Sequence, residues 1–179
     1  MTEKEALNKL MTICSQAEHC SGEMIEKMRK WELPEEAQNR IIEQLTKGKF
    51  IDDERFTRAF AKDKLRYNKW GRRKIEQALW VKRIPADISQ RVLDELKIGG
   101  NDERTDEDSE YLQILRELIN QKSRSVKANN AYERNGKLIK FALGRGFSMD
   151  AIMKVIKETG DDEFPEIKNQ LLASIARHD

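Results

Sequence analysis

Apolar residues along the chain recur at three- and four-residue spacing, the period of helices that bury one face. Leu7, Leu10, Met11 and Cys14 lie on one such face, and Met24, Ile25 and Met28 begin a second. Ala37, Ile41, Ile42 and Leu45 make a third. The same three-helix pattern then returns twice. Phe56, Phe60 and Tyr67 are followed by Ile75 and Leu79, then by Ile88, Val92, Leu93 and Leu96. Leu112, Leu115 and Ile119 are followed by Leu138, Ile139 and Ala142, then by Ile152, Val155 and Ile156. No stretch alternates apolar and polar residues over the length of a strand, so no sheet is expected. The pattern predicts an all-α fold of three tandem three-helix repeats in an elongated, curved array. A unit of roughly 45 to 50 residues is near the lower size limit for a self-sufficient core, so neighbours lean on one another.

Helix-start signals agree with this division. Leu33-Pro34-Glu35-Glu36 and Ile84-Pro85-Ala86-Asp87 put proline at the first helical position with acid behind it. In Phe147-Ser148-Met149-Asp150 a serine caps, and Phe147 is placed to staple to Ile152. The organisation expected is residues 1–51, 52–98 and 111–160 as the three repeats. An acidic linker spans 99–110, and a tail over 161–179 carries a short helix beginning near Pro165.

Composition narrows the class. The chain has 179 residues, with 37% charged and 38% hydrophobic, and only three prolines. Lys, Glu, Leu, Ile, Ala and Arg dominate, which favours helices. No apolar run reaches the ~18 residues of a membrane span, and Met1–Glu5 is unlike a signal peptide. A cytoplasmic protein is expected. Cys14 and Cys20 are too few for a disulfide framework.

Net charge is only +2, but its distribution is uneven. Between Glu54 and Arg83 stand eleven Lys/Arg and three Asp/Glu, and between Lys122 and Arg145 seven and one. Asn101 to Glu110 carries six acids against one base, and Glu158 to Glu166 five acids and no base. Two basic modules separated by acidic segments point to a charged partner.

Within the first basic module, Arg55, Arg58, Lys62, Arg66 and Lys69 fall within a sector of about 80° at ~100° per residue. Solvated helices commonly interleave Glu with Lys, whereas this stripe contains no acid of its own. Arg72, Arg73 and Lys74 follow at the start of the next helix, where cations oppose the helix dipole. Both features favour an acidic or anionic partner. Tyr67 and Trp70 are read as pinning the intervening turn to a core, with base stacking as the alternative. Lys137 and Lys140, in the second basic module, are equally compatible with partner contact and solvated surface. The acids Asp52, Asp53 and Glu54 are read as helix-capping residues rather than a metal or nuclease site.

Catalysis has little to build on. The only histidines are His19 and His178, and Cys14, His19 and Cys20 have a poor metal-ligand spacing. No Gly-rich phosphate loop is present. No catalytic residues, metal or cofactor are expected, and the protein is read as a non-enzyme.

The stretch Phe50-Ile51-Asp52-Asp53-Glu54-Arg55-Phe56, followed by Trp70-Gly71-Arg72-Arg73-Lys74-Ile75, resembles the RecX signature. Ala6-Leu7 with Ser21-Gly22-Glu23-Met24 is similar to that family's first repeat, and Arg145-Gly146-Phe147-Ser148 to its third. At the middle turn, where the family commonly has Tyr or Phe-Gly-Pro, this chain has Trp70-Gly71-Arg72. The resemblance implies a monomeric regulator that binds RecA–DNA filaments and damps RecA's ATPase, strand-exchange and coprotease activities. It also implies weak, non-specific binding of single- or double-stranded DNA. The contact residues expected, read from the charge pattern above, are Arg55, Arg58, Lys62, Arg66, Lys69, Arg72, Arg73, Lys74, Lys137 and Lys140. A helical DNA-binding protein, architectural or transcriptional and without RecA specificity, is the alternative.

Overall fold

A computed structural model describes residues 1–100 and 109–158. Most of the acidic linker, the tail with the short helix expected near Pro165, and His178 lie outside the described residues. Among the described residues there are nine helices and no strand. They are α1 Glu3–Gln16, α2 Ser21–Lys30, α3 Glu35–Lys47, α4 Asp53–Arg66, α5 Arg72–Val81, α6 Ala86–Glu95, α7 Glu110–Ser125, α8 Ala131–Gly144 and α9 Met149–Lys157. The all-helical expectation holds.

The described residues pack as two compact units, 1–62 with 76–96, and 63–75 with 97–100 and 109–158. In the first, the apolar faces of α1, α2 and α3 close on one another through Ala6, Leu10, Met24, Met28, Ile41 and Leu45. In the second, Leu112, Leu115, Leu138, Ala142, Ile152 and Val155 make the corresponding core of α7, α8 and α9. Apart from Ala6, these are positions that the helical period marks; on α1 the marked Leu7, Met11 and Cys14 are only partly buried. Each triplet also ties its first helix to its third, or to the residue that caps the third, by arginine–carboxylate pairs. Arg40 reaches Glu3, Arg91 reaches Glu54, and Arg116 reaches Glu158, each at 2.9 Å.

The helix starts follow the local chemistry. Thr2 forms a capping box with Glu5, and Ser109, Asn130 and Ser148 each accept a hydrogen bond from the first turn. Pro34 and Pro85 sit one position earlier than expected, at the cap itself. Their extended ψ of 148° and 139° keeps them outside the helix, while their carbonyls accept from Gln38 and Ser89. Helix ends were harder to foresee. Glu32, Lys49, Lys69, Arg83 and Lys97 all have φ between 55° and 62°, a left-handed conformation in which glycine is the usual residue. The residue after the turn bonds back into the helix, Leu33 to Met28, Phe50 to Leu45, Trp70 to Lys64 and Ile84 to Leu79. An apolar side chain follows each of these four left-handed residues, buried at Ile84 and half-buried at Leu33, Phe50 and Trp70, and its packing compensates for the strained backbone.

Tyr67 departs from its expected place on the α4 core face. It is 81% exposed. The helix ends at Arg66, so Tyr67 is already beyond it, and the left-handed turn at Lys69 brings back Trp70 instead.

Candidate partner-binding surface

The acids at the start of α4 act as caps, by two different routes. Asp52 accepts a hydrogen bond from the Arg55 amide at 3.0 Å and so caps its own helix. Asp53 turns to α2 and takes the Ser21 amide at 2.8 Å and the Ser21 hydroxyl at 2.6 Å. The residue at the α2 cap position, Cys20, makes no side-chain capping bond of its own, so Asp53 supplies the missing acceptor. Asp52→Ala should cost about 1 kcal/mol, the usual size of a lost cap. Asp53→Ala removes an ionised acceptor from two half-buried donors and should cost more, roughly 2 kcal/mol. Urea unfolding of both variants checks the order, and an Asp53 effect no larger than that of Asp52 would refute it.

The arginines of the α4 stripe are not left unpaired, contrary to what their own helix indicates. Arg55 pairs with Glu18 at 2.9 Å and also donates to the Lys49 carbonyl. Arg58 bridges Glu54, at 3.1 Å, and Glu95. Arg66 makes a two-pronged contact with Glu110, at 2.7 and 3.2 Å. Arg91 and Arg58 beside Glu54 hold its carboxyl below the usual range. Most of the acids come from other helices or loops, tens of residues away in sequence, so the stripe itself gives no sign of them. All are surface pairs, weakly held in water, of the kind that a partner's carboxylate or phosphate can displace. Lys62 is exposed and has no ion pair with a described residue.

The cations opening α5 have separate fates. Arg72 is half-buried, and its guanidinium donates to the Ile98 and Gly99 carbonyls while its amide donates to the Tyr111 hydroxyl. Its placement against the helix dipole therefore has a structural compensation that the sequence does not show. Lys74 lies over the Trp70 ring at 4.8 Å, and Lys64 lies over the same ring at 5.0 Å. Trp70 is half-buried and carries both cation–π contacts. Arg73 is exposed, and Lys69 holds the left-handed turn.

In the second basic module, Lys137 pairs with Glu133 at 3.3 Å and donates to the Lys127 carbonyl at 2.6 Å. With Lys122, Lys140, Val126 and Phe141 it lines a shallow depression. Lys122 and Arg145 both stand over the Phe141 ring, at 4.8 and 5.2 Å.

The region of Cys14, His19 and Cys20 is engaged internally. His19 meets Glu23 at 3.0 Å, and the Cys20 thiol faces the Lys82 carbonyl. Burial pushes the Cys20 thiol up to about 12, so it stays protonated and unreactive. No described group of three or more His, Cys, Asp or Glu is arranged to hold a metal ion. No described helix is long and apolar enough to cross a membrane.

Helix triplets with basic, partly self-paired surfaces define this chain as a helical-repeat protein. Residues 52–93 match the family description "RecX, second three-helix domain", and residues 108–156 match "RecX, third three-helix domain". The chain belongs to the RecX family of regulatory proteins. It is 31% identical to "Regulatory protein RecX" of Clostridium acetobutylicum over 136 residues, 74% of this chain and 58% of that relative. It is 27% identical to the protein of the same name from Clostridium botulinum over 130 residues, 73% of this chain and 57% of that one. The chain thus spans less than three-fifths of the length of these two relatives. The crystal structure of RecX from Lactobacillus salivarius superposes with a TM-score of 0.74 at 18% identity, covering 87% of this chain and 95% of that one, which establishes a shared fold.

Proposed function

We propose that the chain binds the RecA recombinase filament and inhibits its ATPase, strand-exchange and coprotease activities, acting by binding and not by catalysis. Membership of the RecX family across two helix triplets carries this reading. The surface chemistry supports it. Ion pairs of Arg55, Arg58 and Arg66 are weak enough to exchange for a partner's acids, and Lys62, Arg73 and Lys140 are exposed. Weak, sequence-insensitive DNA binding accompanies filament binding, because the same cations attract phosphates. The protein works as a monomer in the cytoplasm.

The test is RecA ATPase on single-stranded DNA, titrated with the chain. Inhibition is expected at amounts well below those that coat the DNA. DNA binding measured alone should weaken with salt, but with a log–log slope shallower than about −4, the value that five phosphate contacts would give. Inhibition only at DNA-coating amounts, together with tight sequence-selective DNA binding, would replace this reading by the transcriptional one.

A further inference from the structure

Helix α5 departs from its counterpart α2 at both ends. In α2, Glu23 lies in the first turn and Lys27, Arg29 and Lys30 in the last, so the charges at both ends complement the helix dipole. In α5 there is no acid in the first turn and no base in the last. Counting back from the left-handed residues that close the two helices, Glu32 and Arg83, the places of Arg29 and Lys30 are taken in α5 by Trp80 and Val81. Both are strongly exposed, Trp80 at 77% and Val81 at 72%. The helix does not need them for its core, which Leu79 provides in this unit and Ile84 closes after the turn.

The three tryptophans are treated differently. Lys9 stands over Trp31 at 5.0 Å, and Lys64 and Lys74 cover Trp70. Trp80 has no cation and no ring against it among the described residues. A bare indole beside a bare valine breaks the local rule for a solvated helix end without a visible gain in stability, which marks the pair as functional.

We propose that Trp80 and Val81 are the apolar anchor by which the chain docks on a subunit of the filament, in a pocket wide enough for an indole and rimmed by carboxylates. This rests on the filament-binding reading above. Size and charge select that occupant. The two side chains offer on the order of 250 Å² of apolar surface. A stable interface needs about 800 Å² from each partner, so the pair cannot by itself hold two copies of this chain together. It is the centre of a larger contact. The nearest charge in sequence that is free to take part is Arg83, exposed two residues beyond Val81, while Lys82 is directed to Glu23 at 3.6 Å. A cation at the edge of an apolar anchor matches an acidic rim.

The test exchanges the pair for the residues that α2 carries, Trp80→Arg with Val81→Lys. Binding of wild type and variant to RecA filaments on single-stranded DNA is measured by fluorescence anisotropy, beside thermal melts and sedimentation of the free proteins. The double variant should melt at or above the wild-type temperature, because cations suit this helix end. It should bind filaments on the order of 30-fold more weakly, the effect of losing an interface hot spot. The substitution adds positive charge, so the loss cannot be ascribed to weakened attraction for an acidic partner. Trp80→Ala, which adds no charge, should weaken binding in the same direction and decides the matter if the double variant fails to fold. Wild-type affinity in a folded variant would overturn the anchor while leaving the filament reading in place. A wild-type chain that does not bind filaments would overturn both. A wild-type dimer that the substitutions dissolve would make a second copy the occupant and overturn the proposal.

Discussion

Gly71→Ala should lower the unfolding free energy by roughly 3 kcal/mol, near the upper end of what a single overpacked methyl group costs. A β-carbon at residue 71 would stand 2.4 Å from both the Gly146 carbonyl carbon and the Phe147 nitrogen. Those atoms are backbone and cannot swing aside as a side chain would. Two hydrogen bonds hold the two turns together, from the Gly71 amide to the Arg145 carbonyl at 2.7 Å and from the Arg73 amide to the Gly146 carbonyl at 3.1 Å. An opposing effect exists. Gly71 does not have a positive φ, so alanine fits its backbone and would stabilise by about 0.4–1 kcal/mol through the unfolded chain. The clash outweighs that gain. Gly22 makes the same kind of joint elsewhere, where a β-carbon would lie 2.0 Å from the Lys82 carbonyl oxygen, and Gly22→Ala should be comparably damaging. Urea unfolding measures both. Gly71→Ala at or above wild-type stability would mean that the two turns separate easily and that the contact is incidental.

Arg73→Glu should weaken RecA inhibition on the order of 30-fold while leaving stability unchanged or slightly raised. Glutamate in the first turn of α5 is favoured by the helix dipole, by about 0.3–1 kcal/mol at an exposed site. Against a partner's acids the same carboxylate is repelled, and like-charge juxtaposition at an interface costs several kcal/mol. The two readouts therefore move apart, which a merely structural role for Arg73 would not produce. Its neighbours are less suitable targets. Arg72→Glu would set a carboxylate against the Ile98 and Gly99 carbonyls, and Lys74 is packed by its β-carbon near Gly146 and by its ammonium on Trp70. Reversing all three residues together would confound folding with binding. The measurements are the RecA ATPase inhibition midpoint and the thermal melt. A stable Arg73→Glu protein that inhibits as well as wild type would move the contact elsewhere, with Lys137 and Lys140 the next candidates.

The sequence by itself determined the helices and most of their buried faces, because a helical period needs only neighbours three and four residues apart. It also determined the caps at Asp52 and Ser148, since a cap acts within one turn of its own helix. The family resemblance was legible in the middle motif for a related reason: Asp52 through Phe56 and Trp70 through Ile75 are contiguous runs. Features that depend on distant residues were not legible. The stripe from Arg55 to Lys69 reads as unpaired because Glu18, Glu95 and Glu110 reach it from elsewhere in the chain. Asp53 reads as a residue of its own helix until α2 is seen to present Ser21 to it. Five left-handed turns carry no glycine to mark them, because the apolar residue that follows each of the four with a return bond is held by packing and not by propensity. Tyr67 and Trp80 show the limit from the other side. Aromatic identity alone predicts burial, and only the packed structure, by ending α4 at Arg66 and turning the far end of α5 to solvent, decides that these two rings stay outside.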